Sequence, residues 1–549
     1  MMRSRSVYVF VLVLLFASLV AHSQVRPTDA PDTAALNRIW LEGTTNSLVM
    51  EHLSWLADVF GPRIPGTPAY NKAAAWAVQR FKDFGLVNAA IEPVGELGAG
   101  WSCEYVSVHM TAPSYLPIVA YSRPWTGSTN GKITGSPIFA PIATKADMEK
   151  YTGKLKGAIV LVAEPGPVHP NFDPPAKRYD DKDLRELEET PIPVKPVRPG
   201  GSDTGGGLKW EELEEFFKAE EVGCLVQPST GRADFGTVHV DAYGGMGRDF
   251  LLRGQRPRII VEAEQYNRIC RILDLKVPVT LEIEVRTTIY DGDTQGYDVT
   301  AEIPGTDKKD ELVMLGGHLD SWTGGTGAVD NAAGCAVAME AVRILKAIGI
   351  KPRRTIRAAF WTGEEEGLYG SRGYVVRHFG DTDKQSLGKM SIESFLERSW
   401  RNPLGDSTKF QAKPEYAKIS GYFNYDNGSG RIRGIYLQEN FQVRPIFEAW
   451  MKPLQDLGVT TLALQNTDGT DHLPFDYIGI PGFQFIQDPL DYFPYLHHTN
   501  QDVYDHAVPE DLVQSAIVMA YFVYQTAMRD EMLPRKALSI PVEMPAKIK

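Results

Sequence analysis

Glu311-Leu312-Val313-Met314-Leu315-Gly316-Gly317-His318-Leu319-Asp320 decides the fold of this chain. Its first six residues form an apolar run of the length of a strand buried on both faces, and an imidazole and a carboxylate follow at once. Working outward, residues 329–348 are periodic as a helix whose first-turn residues Ala332, Ala333 and Gly334 suit close packing on a sheet. Thr355-Ile356-Arg357-Ala358-Ala359-Phe360-Trp361 is the next strand, and residues 418–425 and 479–486 are two more. Apolar runs alternating with helices predict an α/β domain with a mostly parallel central sheet flanked by helices.

Each of these strands leads into chemistry. The first reaches His318 and Asp320, the second Glu364-Glu365-Glu366, the third Asp426, and the fourth Tyr495-Leu496-His497-His498-Thr499. Ligands of open parallel sheets bind outside the carboxyl ends of the strands, so four separate turns deliver imidazoles and carboxylates to one crevice. Each piece alone has a plainer reading. A lone His is more often structural, a Glu run is usually a solvated turn, and Asp330-Asn331 resembles a helix cap. Four sets in the right places outweigh those readings and point to metal ligation.

Two His and three carboxylates exceed the three protein ligands that one catalytic zinc takes, so the set suits a pair of divalent ions. Mixed nitrogen and carboxylate ligation favours zinc, with manganese or cobalt able to occupy similar geometry. Asp330, at the helix start beside the first two strands, is the natural carboxylate to bridge two ions and a shared water.

The rest of the 549-residue chain is organised around this unit. Residues 1–23 have a basic start at Arg3 and Arg5, an apolar run and a small-residue ending at Ala21-His22-Ser23, the pattern of a cleaved secretory signal. That predicts a secreted or periplasmic protein with no stable membrane anchor after cleavage. The net charge of −12 argues against nucleic acid as a partner, because phosphate contacts need clustered Lys and Arg. Cys103, Cys224, Cys270 and Cys335 are widely spaced, which leaves room for one disulfide but not for a disulfide scaffold.

Residues 24–106 carry two helical stretches separated by Gly61-Pro62-Arg63-Ile64-Pro65-Gly66-Thr67-Pro68. Residues 107–288 change to short Val/Ile runs, interrupted by a Pro-, Gly- and charge-rich stretch over 164–207 that reads as a long solvated loop, with a lid as the lesser alternative. Residues 289–549 form the main unit. His52, His169, His239 and His378 lie outside the strand-end pattern and read as background.

At the strand ends the chain resembles a known family. Gly316-Gly317-His318-Leu319-Asp320-Ser321, Gly327-Ala328-Val329-Asp330-Asn331-Ala332-Ala333-Gly334, Trp361-Thr362-Gly363-Glu364-Glu365-Glu366-Gly367, Thr470-Asp471-His472-Leu473-Pro474-Phe475 and His498-Thr499 are similar to the co-catalytic di-zinc aminopeptidases and their carboxypeptidase Q relatives. The resemblance implies the zinc-exopeptidase fold, with residues 107–288 as an inserted, β-rich protease-associated domain. It implies two zinc ions, one held by His318 and Asp426, the other by Glu365 and His498, with Asp330 between them. Glu364 matches the general base, and Asp320 the carboxylate that orients His318.

Some of these assignments have competitors. His497 adjoins His498, and the family's Thr after the ligand selects the latter. Asp426 reads equally as part of an Asp-Asn-Gly turn. Glu364 and Glu365 are interchangeable on sequence grounds, and Glu366 reads as a solvated third carboxylate. His472 is either a pocket residue or a packed structural His. The expected activity is hydrolysis of short peptides or dipeptides from a free N terminus, with a homodimer left open. The competing classes are one-zinc glutaminyl cyclisation and a silent binding protein on the same scaffold.

Overall fold

The apolar runs pair into one eight-stranded sheet. The computed structural model describes residues 29–191, 208–230, 236–242, 255–384, 386–389, 407–467 and 469–545. The expected signal, residues 1–23, lies outside them.

In chain order the sheet is built from β1 (Val87–Glu96), then, after the strands β2 (Gly100–Ala112) and β3 (Thr280–Tyr290) of another sheet, from β4 (Gln295–Ile303), β5 (Lys308–His318), β6 (Arg354–Trp361), β7 (Ile419–Asn424), β8 (Ile432–Tyr436), β9 (Thr461–Ala463) and β10 (Gly482–Gln487). Across the sheet the order is β1-β4-β6-β5-β7-β10-β8-β9. The four central strands β6, β5, β7 and β10 are mutually parallel; β1 and β4 run against their neighbours, and β8 runs against β10 but parallel to β9. The chain leaves β5 for β6 on one side and returns to β7 on the other. His318 and Asp426 therefore flank the place where strand order reverses, which is where α/β sheets open a crevice.

Four helices show how the sheet is covered: α1 (Thr33–Thr45), α2 (Pro68–Asp83), α3 (Ala333–Ala347) and α4 (Pro509–Met528). The α2 helix starts where Thr67 caps the Tyr70 N–H at 3.2 Å and Pro68 occupies the first turn. Ala336, Met339, Ile344, Ile517, Met519 and Phe522 pack into the core that covers β5 and β6. The α3 helix begins four residues later than the periodicity predicts. Residues Ala328–Ala332 form a wide turn in which Asp330 (φ −120°, ψ 90°) and Asn331 (φ −133°, ψ 41°) are not helical. The Asn331 amide donates to the Tyr425 carbonyl at 2.9 Å and its oxygen accepts the Gly334 N–H at 2.9 Å, so the side chain ties the turn to β7 and caps the helix from inside.

Everything between β1 and β4 is an excursion from this sheet. The β2 and β3 strands form a long antiparallel ladder, which also carries Leu116–Pro117 and Ile133–Gly135. A five-stranded sheet follows in the order Ala120–Ser122, Arg258–Val261, Cys224–Pro228, Ile159–Leu161, Ile138–Phe139. Met110, Val226, Ile259 and Ile283 close a separate core there. All four cysteines are free.

Gly316 lies in the middle of the main sheet, and a Cβ there would collide with the Ala359 carbonyl of β6. We expect Gly316→Ala to spread β5 from β6 and to cost about 1–3 kcal/mol of stability, read from urea unfolding.

Candidate metal centre

The crevice gathers the strand-end residues. His318 closes β5, and its Nε2 lies 3.2 Å from Asp330 Oδ1 and 3.3 Å from Asp426 Oδ1. Across the crevice, His498 Nε2 lies 3.0 Å from Glu365 Oε2 and 3.6 Å from Asp330 Oδ2. Asp330 thus turns one oxygen to each imidazole. Potential ligand atoms of His318, Asp330 and Glu365 form one compact set, and those of His318, Glu364 and Asp426 a second. His318, Asp330, Glu364 and Asp426 are all buried.

Burial and mutual charge set the protonation of these groups. Burial acts to lower His318, but Asp426, Asp320 and Asp330 outweigh it and hold the ring well above its ordinary range. Burial acts against His498 too, yet Glu365, Asp241 and Asp330 push it up to about 10. Asp330 is held below the usual carboxylate range because the His318 hydrogen bond and the nearby histidine charges overcome its burial. Burial, reinforced by Asp330, raises Glu365 to about 7, and burial drives Glu364 well above the glutamate range. Asp330 Oδ2 and Glu365 Oε1 are buried with no hydrogen-bond partner among the described residues. Buried carboxylate oxygens in that state, beside two imidazoles, are the donor set a divalent cation needs.

The surrounding chain holds the donors in place. His318 Nδ1 lies 3.0 Å from the Asp320 carbonyl and 3.7 Å from its carboxylate. The two Asp320 oxygens accept the N–H groups of Glu364 and Glu365 at 3.3 and 3.2 Å, so one side chain organises both motif turns. Asp502 accepts the Val329 N–H at 2.6 Å and the Asp330 N–H at 3.2 Å, and burial raises its carboxyl to about 8. The fully buried Arg63 guanidinium donates to the carbonyls of Leu319, Thr326 and Gly327 at 2.7, 2.9 and 2.8 Å, clamping the loops around the site.

Sequence reasoning missed Asp502, Arg63 and the contacts that residues 237–241 make beside His498. The Asp502 signal was its place four residues after His498. His239 is no background residue, because its ring centroid lies 5.6 Å from that of His498. Glu366 is buried rather than solvated, since the turn after β6 folds back inward. His472 is a packed structural residue. It is fully buried against Gln438 and the Thr467 carbonyl, and burial lowers it to about 3.

The loop expected to be solvated is anchored at residues 178–179. Arg178 donates to Asp488 at 3.0 Å and to Asp511 at 2.6 Å, the Tyr179 N–H donates to Asp488 at 3.0 Å, and Arg433 donates to the Tyr179 carbonyl at 2.9 Å. Tyr179 thereby joins Tyr436, Tyr492 and Phe493 in walling a cavity of 380 Å³ over Asp330, Glu364 and Glu365.

Fold and site together define a metallo-exopeptidase. Residues 298–390 and 402–523 match the model of peptidase family M28. It is similar to carboxypeptidase Q from Mus musculus, with 28% identity over 486 residues, 88% of this chain and 87% of the relative. Among solved structures it shares its fold with a peptidase M28 precursor from Shewanella amazonensis (TM-score 0.61, 23% identity, covering 92% of this chain and 98% of the other). A zinc aminopeptidase from Bacillus subtilis is more distant (TM-score 0.52, 18% identity, 87% and 93% coverage).

Removing the Asp502 carboxylate leaves the Val329 and Asp330 N–H groups buried without that acceptor. Asp502→Ala is expected to cost about 1–3 kcal/mol of stability, and Asp502→Asn less, measured by urea unfolding of the metal-free protein.

Proposed function

We propose that the protein is a zinc-dependent exopeptidase that releases residues from the free N terminus of short peptides or dipeptides. In this reading two zinc ions are held, one by His318 and Asp426 and the other by Glu365 and His498, with the Asp330 carboxylate shared. One observation carries it: the two oxygens of Asp330 face two different imidazoles, 3.2 and 3.6 Å away, each imidazole having a further carboxylate of its own. Nitrogen with carboxylate donors fits zinc better than a hard, all-oxygen ion. The similarity to carboxypeptidase Q over most of both chains supports an exopeptidase.

Bound zinc supplies a water of lowered pKa and polarises the scissile carbonyl. Glu364 then acts as general base. Its buried carboxylate takes a proton from the attacking water and passes it to the leaving amine as the peptide bond breaks. Asp320 holds the Glu364 backbone and the His318 ring in register while this happens. The 380 Å³ cavity suits a small peptide, and its aromatic walls suit an apolar side chain. Residues 1–23 support export, to a periplasm or out of the cell, and no helix among the described residues is long and apolar enough to cross a membrane.

Elemental analysis of the purified chain is expected to give two zinc ions, with cleavage of an aminoacyl amide and a dipeptide abolished by chelation. Glu364→Gln should keep both ions and lose about 10²–10⁴-fold in kcat. One zinc with cyclisation of an N-terminal Gln would move the protein to the cyclase class, and no zinc with no turnover would leave a binding scaffold. Arg178→Ala should free the Tyr179 wall and raise KM roughly tenfold, about 1.4 kcal/mol of binding, with little change in kcat in steady-state assays.

A further inference from the structure

Residues 237–241, from the excursion between β1 and β4, lie against the loop that carries His498. The Val240 N–H donates to the His498 carbonyl at 2.7 Å, and the Asn500 N–H donates to the Val238 carbonyl at 3.0 Å. The Asn500 side-chain oxygen accepts the Val238 N–H at 2.7 Å, and His239 and Thr499 form an antiparallel bridge between these hydrogen bonds. The attachment is a short piece of two-stranded sheet, made by backbone groups on either side of His498.

His498 needs such support. Its φ of 62° is in the left-handed region, which a residue with a side chain enters only when its surroundings hold it there. The ring is then oriented from both edges. Nε2 faces Glu365 and Asp330, while Nδ1 lies 3.7 Å from Asp241 Oδ2. His318 is arranged similarly within its own segment: Nε2 faces Asp330 and Asp426, and Nδ1 lies 3.0 Å from the Asp320 carbonyl and 3.7 Å from its carboxylate. A carboxylate near Nδ1 favours the proton on that nitrogen and leaves the Nε2 lone pair for a cation. The same Asp241 oxygen lies 3.7 Å from His239 Nε2, so a second ring borders it.

We propose that Asp241 is a positioning residue for His498, matching Asp320 for His318, and that the excursion thereby supplies a structural part of the metal centre. This rests on the reading of His498 as a zinc ligand. Asp241 acts through the imidazole and touches neither substrate nor zinc.

The test is zinc binding by the full-length chain, in competition with a chromophoric chelator, for the wild type, Asp241→Ala and Asp241→Asn. Asp241→Ala is expected to weaken one of two zinc equivalents by about 10–100-fold and leave the other within twofold, with Asp241→Asn in between. In cobalt-loaded protein the visible absorption of one ion should shift in Asp241→Ala, while the melting temperature of the metal-free protein stays within a few degrees. Two zinc equivalents bound with unchanged affinity and an unchanged cobalt spectrum would overturn the role of Asp241 and leave the zinc reading standing. A wild type that takes up no zinc would overturn both.

Discussion

The structure depends on keeping one carboxylate, that of Asp330, away from water and between two imidazoles. An ionised carboxylate buried alone is costly, so every neighbouring segment contributes to making its position tolerable. Asp502 accepts the N–H groups of the turn, Asn331 ties the turn to β7, and Arg63 gathers the carbonyls on its outer side. These contacts come from three distant parts of the chain. Regular helix would have satisfied the backbone of residues 328–332 more simply, and the α3 helix is displaced by four residues to make room for this turn.

The legible part of the sequence was the part whose signal is local. The β5, β6, β7 and β10 strands are buried on both faces and write themselves as apolar runs, and the residues that follow them are chemically distinctive. Their convergence could be foreseen because parallel strands share one carboxyl edge. The β8 and β9 strands were not foreseen, because Ile432–Tyr436 and Thr461–Ala463 are short and their pattern is broken by Arg433 and Gly434. Glu366 was misjudged because composition says solvated while the chain turns it inward. Tyr179, His239 and Asp241 were invisible for another reason: nothing within their own segments marks them, and they acquire meaning only against residues near 490–500.

The junction between the excursion and the sheet domain is apolar as well as hydrogen-bonded. Ile64, Trp101, Trp125, Ala242 and Trp322 form one buried cluster, with Trp322 edge-on to His498 at 6.0 Å between centroids. A hydrophobic contact of this kind resists hinge motion more than a polar one, because separating it exposes large rings to water. The excursion and the crevice share this apolar junction at one end, and Arg178 joins them at the other.

The ladder of β2 and β3 also bears on how the chain closes. Glu96 pairs with Gln295 at one end of the β1–β4 ladder, and Gly100 pairs with Tyr290 at the start of the next. Without the second ladder, joining β1 to β4 would mean closing a loop from residue 97 to residue 294, with the loss of chain entropy that such a length entails. Once Gly100 and Tyr290 are together, only a few residues on each side separate β1 from β4. The excursion has its own core, which holds the ends of these two neighbouring strands side by side at one edge of the sheet. What looks like an appendage in the sequence thus shortens the closure between the strands it interrupts.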